Sequence, residues 1–101
     1  MISPTQQNQL ITTISKFNPK LLGIFGSFAR EENNVTSDLD ILIDFEEDLN
    51  LLEIIGLEQD LSETLGLKVD LVTLNSVNPK LQKYIEADLI LLPLPSKISH
   101  K

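Results

Sequence analysis

The segment G-S-F-A-R-E-E-N-N-V-T-S-D-L-D, from Gly26 to Asp40, joins a small turn to two carboxylates separated by one residue. Directly before it lies Leu21-Leu22-Gly23-Ile24-Phe25, and directly after it Ile41-Leu42-Ile43. Both are apolar runs short enough for buried strands. The two halves of the segment are therefore expected at strand ends.

Side chains alternate along a strand, so Asp38 and Asp40 are predicted on one face. Leu39, Ile41, Ile43 and Phe45 then point to the other, toward a core. Two carboxylates so placed are about 7 Å apart at their Cα atoms, and their oxygens can converge on a cation. Without one, like charges repel and one acid tends to keep its proton. An oxygen-only donor set with no Cys, and no His nearby, favours a hard ion, Mg²⁺ or Mn²⁺, over zinc.

Gly26 allows a tight turn and close backbone approach, and Ser27 offers a hydroxyl beside unpaired N–H groups. Phe28-Ala29-Arg30 is predicted as a short helix, anchored by Phe28 and charged by Arg30. A phosphate cradle facing an acid pair describes a site for a metal-bound nucleotide.

Outward from this segment the chain alternates helices and strands. Ser3-Pro4-Thr5-Gln6 predicts a helix start with Ser3 as N-cap, Pro4 at the first position and Gln6 closing a capping box. Leu10, Ile11, Ile14 and Phe17 mark its inner face, and Asn18-Pro19 is expected to stop it. The first strand is predicted over 21–25, a polar loop over 31–36 and a second strand over about 38–45. Asn50 and Glu53 predict the cap of a long helix carrying Leu51, Ile54, Leu57, Leu61 and Leu65, closed by Gly66. A third strand is predicted over 67–73. A short helix follows, opening at Asn78-Pro79 with Leu81 and Ile85 inward, then an edge strand over 89–92. The expectation is one α/β domain over residues 1–95, a mixed sheet flanked by helices, with a disordered tail over 96–101.

Asp70 interrupts the run Val69, Leu71, Val72. With Val69 and Leu71 facing the core it would stand on the opposite face, within reach of the acid pair if its strand lies beside the second.

Gly26-Ser27, ten intervening residues, then Asp38-Leu39-Asp40 resembles the G-S-x10-D-x-D signature of the DNA polymerase β-like nucleotidyltransferase superfamily. Ser37 to Phe45 and Val69-Asp70-Leu71-Val72 extend the resemblance to its minimal nucleotidyltransferases, over roughly residues 8 to 92. Members of this size commonly carry Arg at the position of Phe28 and Gly at that of Glu31. The resemblance implies a polymerase β-like palm, with Asp38, Asp40 and Asp70 as catalytic, metal-binding acids for two Mg²⁺ ions (or Mn²⁺). It implies ATP as substrate, with Gly26 and Ser27 on the outer phosphates and Arg30 as a further phosphate contact. It further implies an antitoxin that transfers AMP to a tyrosine of a HEPN-domain toxin ribonuclease, as a hetero-oligomer. The alternatives are neutralisation of that toxin by binding alone, or nucleotidyl transfer to a small molecule.

Composition bounds these readings. With 101 residues the sequence is expected to form a single domain able to bury about two-thirds of its unfolded surface. Polymerases and tRNA-end-adding enzymes of the superfamily use further domains to grip nucleic acid, so those functions are not expected. A net charge of −7, with no basic patch interleaved with aromatics, argues against direct nucleic-acid binding. No apolar run reaches membrane-spanning length, and the N-terminal segment is polar, so a cytoplasmic protein is expected.

Other features read as structure. Asp44, further along the acid face, is expected to be structural or exposed, and Glu46 to Asp48 a solvated loop. Tyr84 is expected half-buried on its helix, and His100, in the tail, is no ligand.

Overall fold

The first helix, α1 (Pro4–Ser15), begins as its sequence dictates. Ser3 Oγ accepts from the Gln6 N–H and Gln6 Oε1 from the Ser3 N–H, with Pro4 at the first turn. These are the contacts of a capping box. The computed structural model describes residues 1–94, so the expectations for His100 and the 96–101 tail, and with them the domain boundary at residue 95, lie outside the described residues.

Asn18, in the left-handed region at φ 57, turns the chain, and β1 (Pro19–Phe25) follows. Pro19 therefore opens the strand two residues before the predicted start. Asn tolerates left-handed φ, and Pro is acceptable as a first strand residue because no ladder hydrogen bond is required of it. Phe17, just past α1, packs edge-on against Phe45, with ring centroids 6.4 Å apart.

Strand β2 (Leu39–Phe45) is followed by α2 (Leu51–Leu65), whose Asn50–Glu53 capping box and left-handed Gly66 (φ 68) match the sequence expectation. Strand β3 (Val69–Thr73) starts two residues later than predicted. A 3₁₀ turn (Leu74–Ser76), α3 (Pro79–Asp88) capped by Asn78, and a two-residue β4 (Ile90–Leu91) complete the described fold.

The sheet order is β3-β2-β1-β4, with β2 and β3 parallel and the other neighbours antiparallel. Helices α1 and α2 bury Leu10, Ile14, Leu57, Leu61 and Leu65 on one face, against Leu22, Ile24, Leu39, Ile41, Ile43, Phe45, Val69 and Leu71. Truncating a side chain such as Leu61 there costs about 2–5 kcal/mol. On the other face α3 seats Ile85 and Leu81 on Phe25, Leu42 and Val72. The outer edge of β3 is covered by α2: Ser62 Oγ accepts from the Val69 N–H (3.0 Å) and Glu58 Oε2 from the Leu71 N–H (2.7 Å). Side chains thus satisfy an edge that would otherwise invite another strand.

Candidate functional site

Register brings the site together. Pairing of β1 with β2 sets Phe25 against Asp40, and pairing of β2 with β3 sets Asp40 against Asp70. Asp40 thus lies between the end of β1, where the Gly26 turn leaves, and Asp70. Leu39, Ile41, Val69 and Leu71 are buried in the core beneath, so the alternation that buries them turns Asp40 and Asp70 to the opposite face. Asp38 stands just ahead of β2, 4.0 Å from Lys68 Nζ.

The turn and the acids are fitted to one another. Gly26 has φ 77, and a β-carbon built on it would overlap Asp40 Oδ2. The predicted helix after Ser27 is instead a run of turns. Arg30 N–H donates to Gly26 C=O (3.1 Å), Glu31 N–H to Phe28 C=O (3.2 Å) and Glu32 N–H to Ser27 C=O (2.8 Å). Glu31 adopts φ 60, which stops the winding after one turn. It keeps the left-handed backbone that a glycine would take without strain. Phe28 is buried and anchors the turn, as expected. The Ser27 hydroxyl has no partner among the described residues.

The crowding has an electrostatic consequence. Asp40 is pushed up to about 6, first by burial and then by the charges of Asp70 and Asp38, with Arg30 opposing. A cation between these oxygens would relieve that conflict. Among the described residues no group of three His, Asp or Glu side chains is already gathered as a metal cage. The hard-oxygen donor set and the mutual repulsion at Asp40 nonetheless suit Mg²⁺ or Mn²⁺.

Arg30 is committed to protein carboxylates: Nε donates to Glu32 Oε1 (2.9 Å) and Nη1 to Asp88 Oδ2 (2.6 Å). Asp88, only 16% exposed at its side chain, comes from the end of α3. Sequence reasoning missed it, because a partner 58 residues away leaves no local signal. Asp44 pairs with Lys20 (3.5 Å), the structural role expected of it. The exposed Glu46 to Asp48 loop also matches, Asp48 accepting from Asn75.

Tyr84 corrects the expectation of half burial, being 73% exposed. Leu81 and Ile85 take the inward stripe of α3, and Tyr84, about 100° round the helix from Ile85, faces outward. It borders an open groove of about 660 Å³ lined by Arg30, Lys80, Lys83, Tyr84 and Asp88, with Pro79 and Ala87. No helix among the described residues is long and apolar enough to cross a membrane.

Residues 8–94 match the family described as Polymerase beta, Nucleotidyltransferase. A protein of Methanocaldococcus jannaschii, provisionally described as a protein adenylyltransferase, is 57% identical over 76 residues, 74% of this chain and 78% of its own length. The protein adenylyltransferase MntA of Thermococcus cleftensis is 41% identical over 75 residues, 74% of this chain and 76% of its own. A solved structure provisionally described as a minimal nucleotidyltransferase superposes with a TM-score of 0.75 at 31% identity, covering 87% of this chain and 90% of that one. A crystal structure of a toxin–antitoxin with AMP-PNP superposes with a TM-score of 0.79 at 25% identity, covering 90% and 75%.

Proposed function

The chain belongs to the Polymerase beta nucleotidyltransferase family, and from that premise we propose that it is a protein adenylyltransferase. It moves AMP from ATP to a tyrosine hydroxyl of a HEPN-domain toxin, and so acts as that toxin's antitoxin. The observation that carries the reading is the register of Asp40 against Asp70 beside the Gly26 turn. Relatives described as protein adenylyltransferases and a superposable toxin–antitoxin with AMP-PNP support it. The HEPN identity of the partner comes from the sequence resemblance.

Asp38, Asp40 and Asp70 would hold Mg²⁺ or Mn²⁺, whose charge, when bound, offsets that of the triphosphate and of the entering and leaving oxygens. Backbone N–H groups at Gly26 and Ser27, with the Ser27 hydroxyl, offer donors to the outer phosphates. The tyrosine oxygen attacks the α-phosphorus, the bond to the bridging oxygen breaks, and pyrophosphate leaves. Asp70, exposed and without a partner among the described residues, would take the phenol's proton. With two carboxylates of its own, Arg30 adds positive potential near the site and ties the turn to α3. A cytoplasmic setting, where ATP and Mg²⁺ are available, goes with this chemistry.

The test is to incubate the chain with the toxin, ATP and Mg²⁺ and take the toxin's intact mass. AMP-sized increments are expected, and they should vanish with EDTA and in the Asp38→Asn, Asp40→Asn variant. No increment, or one that survives in that variant, refutes the reading.

A further inference from the structure

We propose that the groove between Arg30 and the outward face of α3 seats an acidic segment of the protein that receives the adenylyl group. The inference rests on the reading above that the acceptor is a protein. Lys80, Lys83, Tyr84 and Ala87 follow one another at three, one and three residues, which places them on one stripe of α3. The stripe of Leu81 and Ile85 is spent on the sheet. With about 660 Å³ of space, the groove is larger than a single side chain needs.

Its charge sets it apart from the rest of the surface. The chain carries fifteen acidic against eight basic residues, yet Lys80 and Lys83 line the groove with no ion-pair partner among the described residues. An acidic segment is repelled by a surface of net charge −7 and attracted where unpaired lysines cluster, which fixes both approach and register. Tyr84, 73% exposed beside them, adds an apolar ring with a polar tip, the kind of side chain that anchors protein contacts. The groove also adjoins the proposed site. Arg30, one of its lining residues, donates its backbone N–H to Gly26 C=O, so a segment lying along α3 against Arg30 is beside the Gly26 turn. Two unpaired cations on an acidic chain are too few to hold a nucleic-acid strand.

The experiment uses the full chain carrying Lys80→Glu with Lys83→Glu, and the HEPN-domain toxin as the varied substrate. Glutamates in the first turns of α3 suit the helix dipole, so the variant is expected to fold, as circular dichroism will verify. The KM for the toxin should rise about tenfold, as expected for two lost charge pairs. The KM for ATP should hold. Added salt should raise the wild-type KM for the toxin and leave that of the variant nearly unchanged. Tyr84→Ala should also raise this KM, and Tyr84→Phe should restore most of it. An unchanged KM for the toxin in the folded lysine variant overturns the proposal. So does RNA retention by the wild type that the variant loses with no change in that KM. If the wild type transfers no AMP to the toxin, the proposed function itself fails; if it transfers and the variant matches it, only the groove assignment fails.

Discussion

Gly26 and Asp40 occupy adjoining space so closely that a β-carbon on the first would overlap Oδ2 of the second. The left-handed turn at Gly26 and the carboxylate at Asp40 therefore form one unit, in which the backbone of the turn sets where the acid stands.

Gly26→Ala should act on both partners. Forcing a β-carbon into φ 77 costs about 1–2 kcal/mol of stability, read as a lower urea midpoint. Displacing Asp40 should lower adenylyl transfer about a hundredfold, the scale of a small misplacement of a catalytic group. A variant that transfers AMP at the wild-type rate would show that the turn and the acid are independent.

The metal-free protein should be less stable at pH 7.5 than at pH 4.5 as far as Asp40 is concerned. Its folded-state value, about 6, lies above the unfolded value, so between the two the folded state holds a proton that the unfolded state has released. That contribution is present below the unfolded value and is lost as pH rises through about 6. Since Asp40 is partly open to solvent, the effect is discounted to about 1 kcal/mol. Asp40→Asn should flatten this part of the profile, measured by urea unfolding in EDTA. In the wild type, apparent Mg²⁺ affinity should fall as pH drops below about 6, because the ligand must be ionised.

Arg30→Ala and Asp88→Asn should not be additive. Their ion pair ties the Gly26 turn to the end of α3; Arg30→Ala leaves Asp88 without its partner, and Asp88→Asn leaves Arg30 with Glu32 alone. Asp88 sits in the last turn of α3, where a negative charge is unfavourable for the helix, so it depends on the guanidinium. The double variant should unfold at nearly the same urea concentration as the weaker single one. Additive midpoint shifts would mean that the pair carries no coupling.

Glu31→Gly should raise stability by about 1 kcal/mol, because Glu31 holds φ 60 and glycine adopts that backbone without clash. The gain is partly offset by the greater freedom of glycine in the unfolded chain. A lower urea midpoint would show that the Glu31 side chain has a compensating role.

Much of the fold was legible because its signals are local. Ser3 with Gln6, Asn50 with Glu53, Gly66, and Asn78 with Pro79 each fix a helix end within four residues. Alternation through Leu39, Asp40 and Ile41, and through Val69, Asp70 and Leu71, assigned the acids to one face before any partner strand was known. Strand starts were less legible. Asn18 adopts a left-handed turn that lets Pro19 begin β1, and nothing in the residue order demands it.

The sequence by itself determined which groups are candidates for the chemistry: a glycine-serine turn, Asp38 just ahead of β2, and Asp40 and Asp70 turned by strand alternation away from the core. Only the tertiary structure decided that β2 and β3 pair with Asp40 opposite Asp70, that Asp88 holds Arg30, and that Tyr84 stands in the open beside Lys80 and Lys83. The physical reason is distance along the chain. Caps and strand alternation act over a few residues and leave a mark in the local order, whereas register, ion pairs across 58 residues and a groove between two elements exist only once the core has brought those elements together.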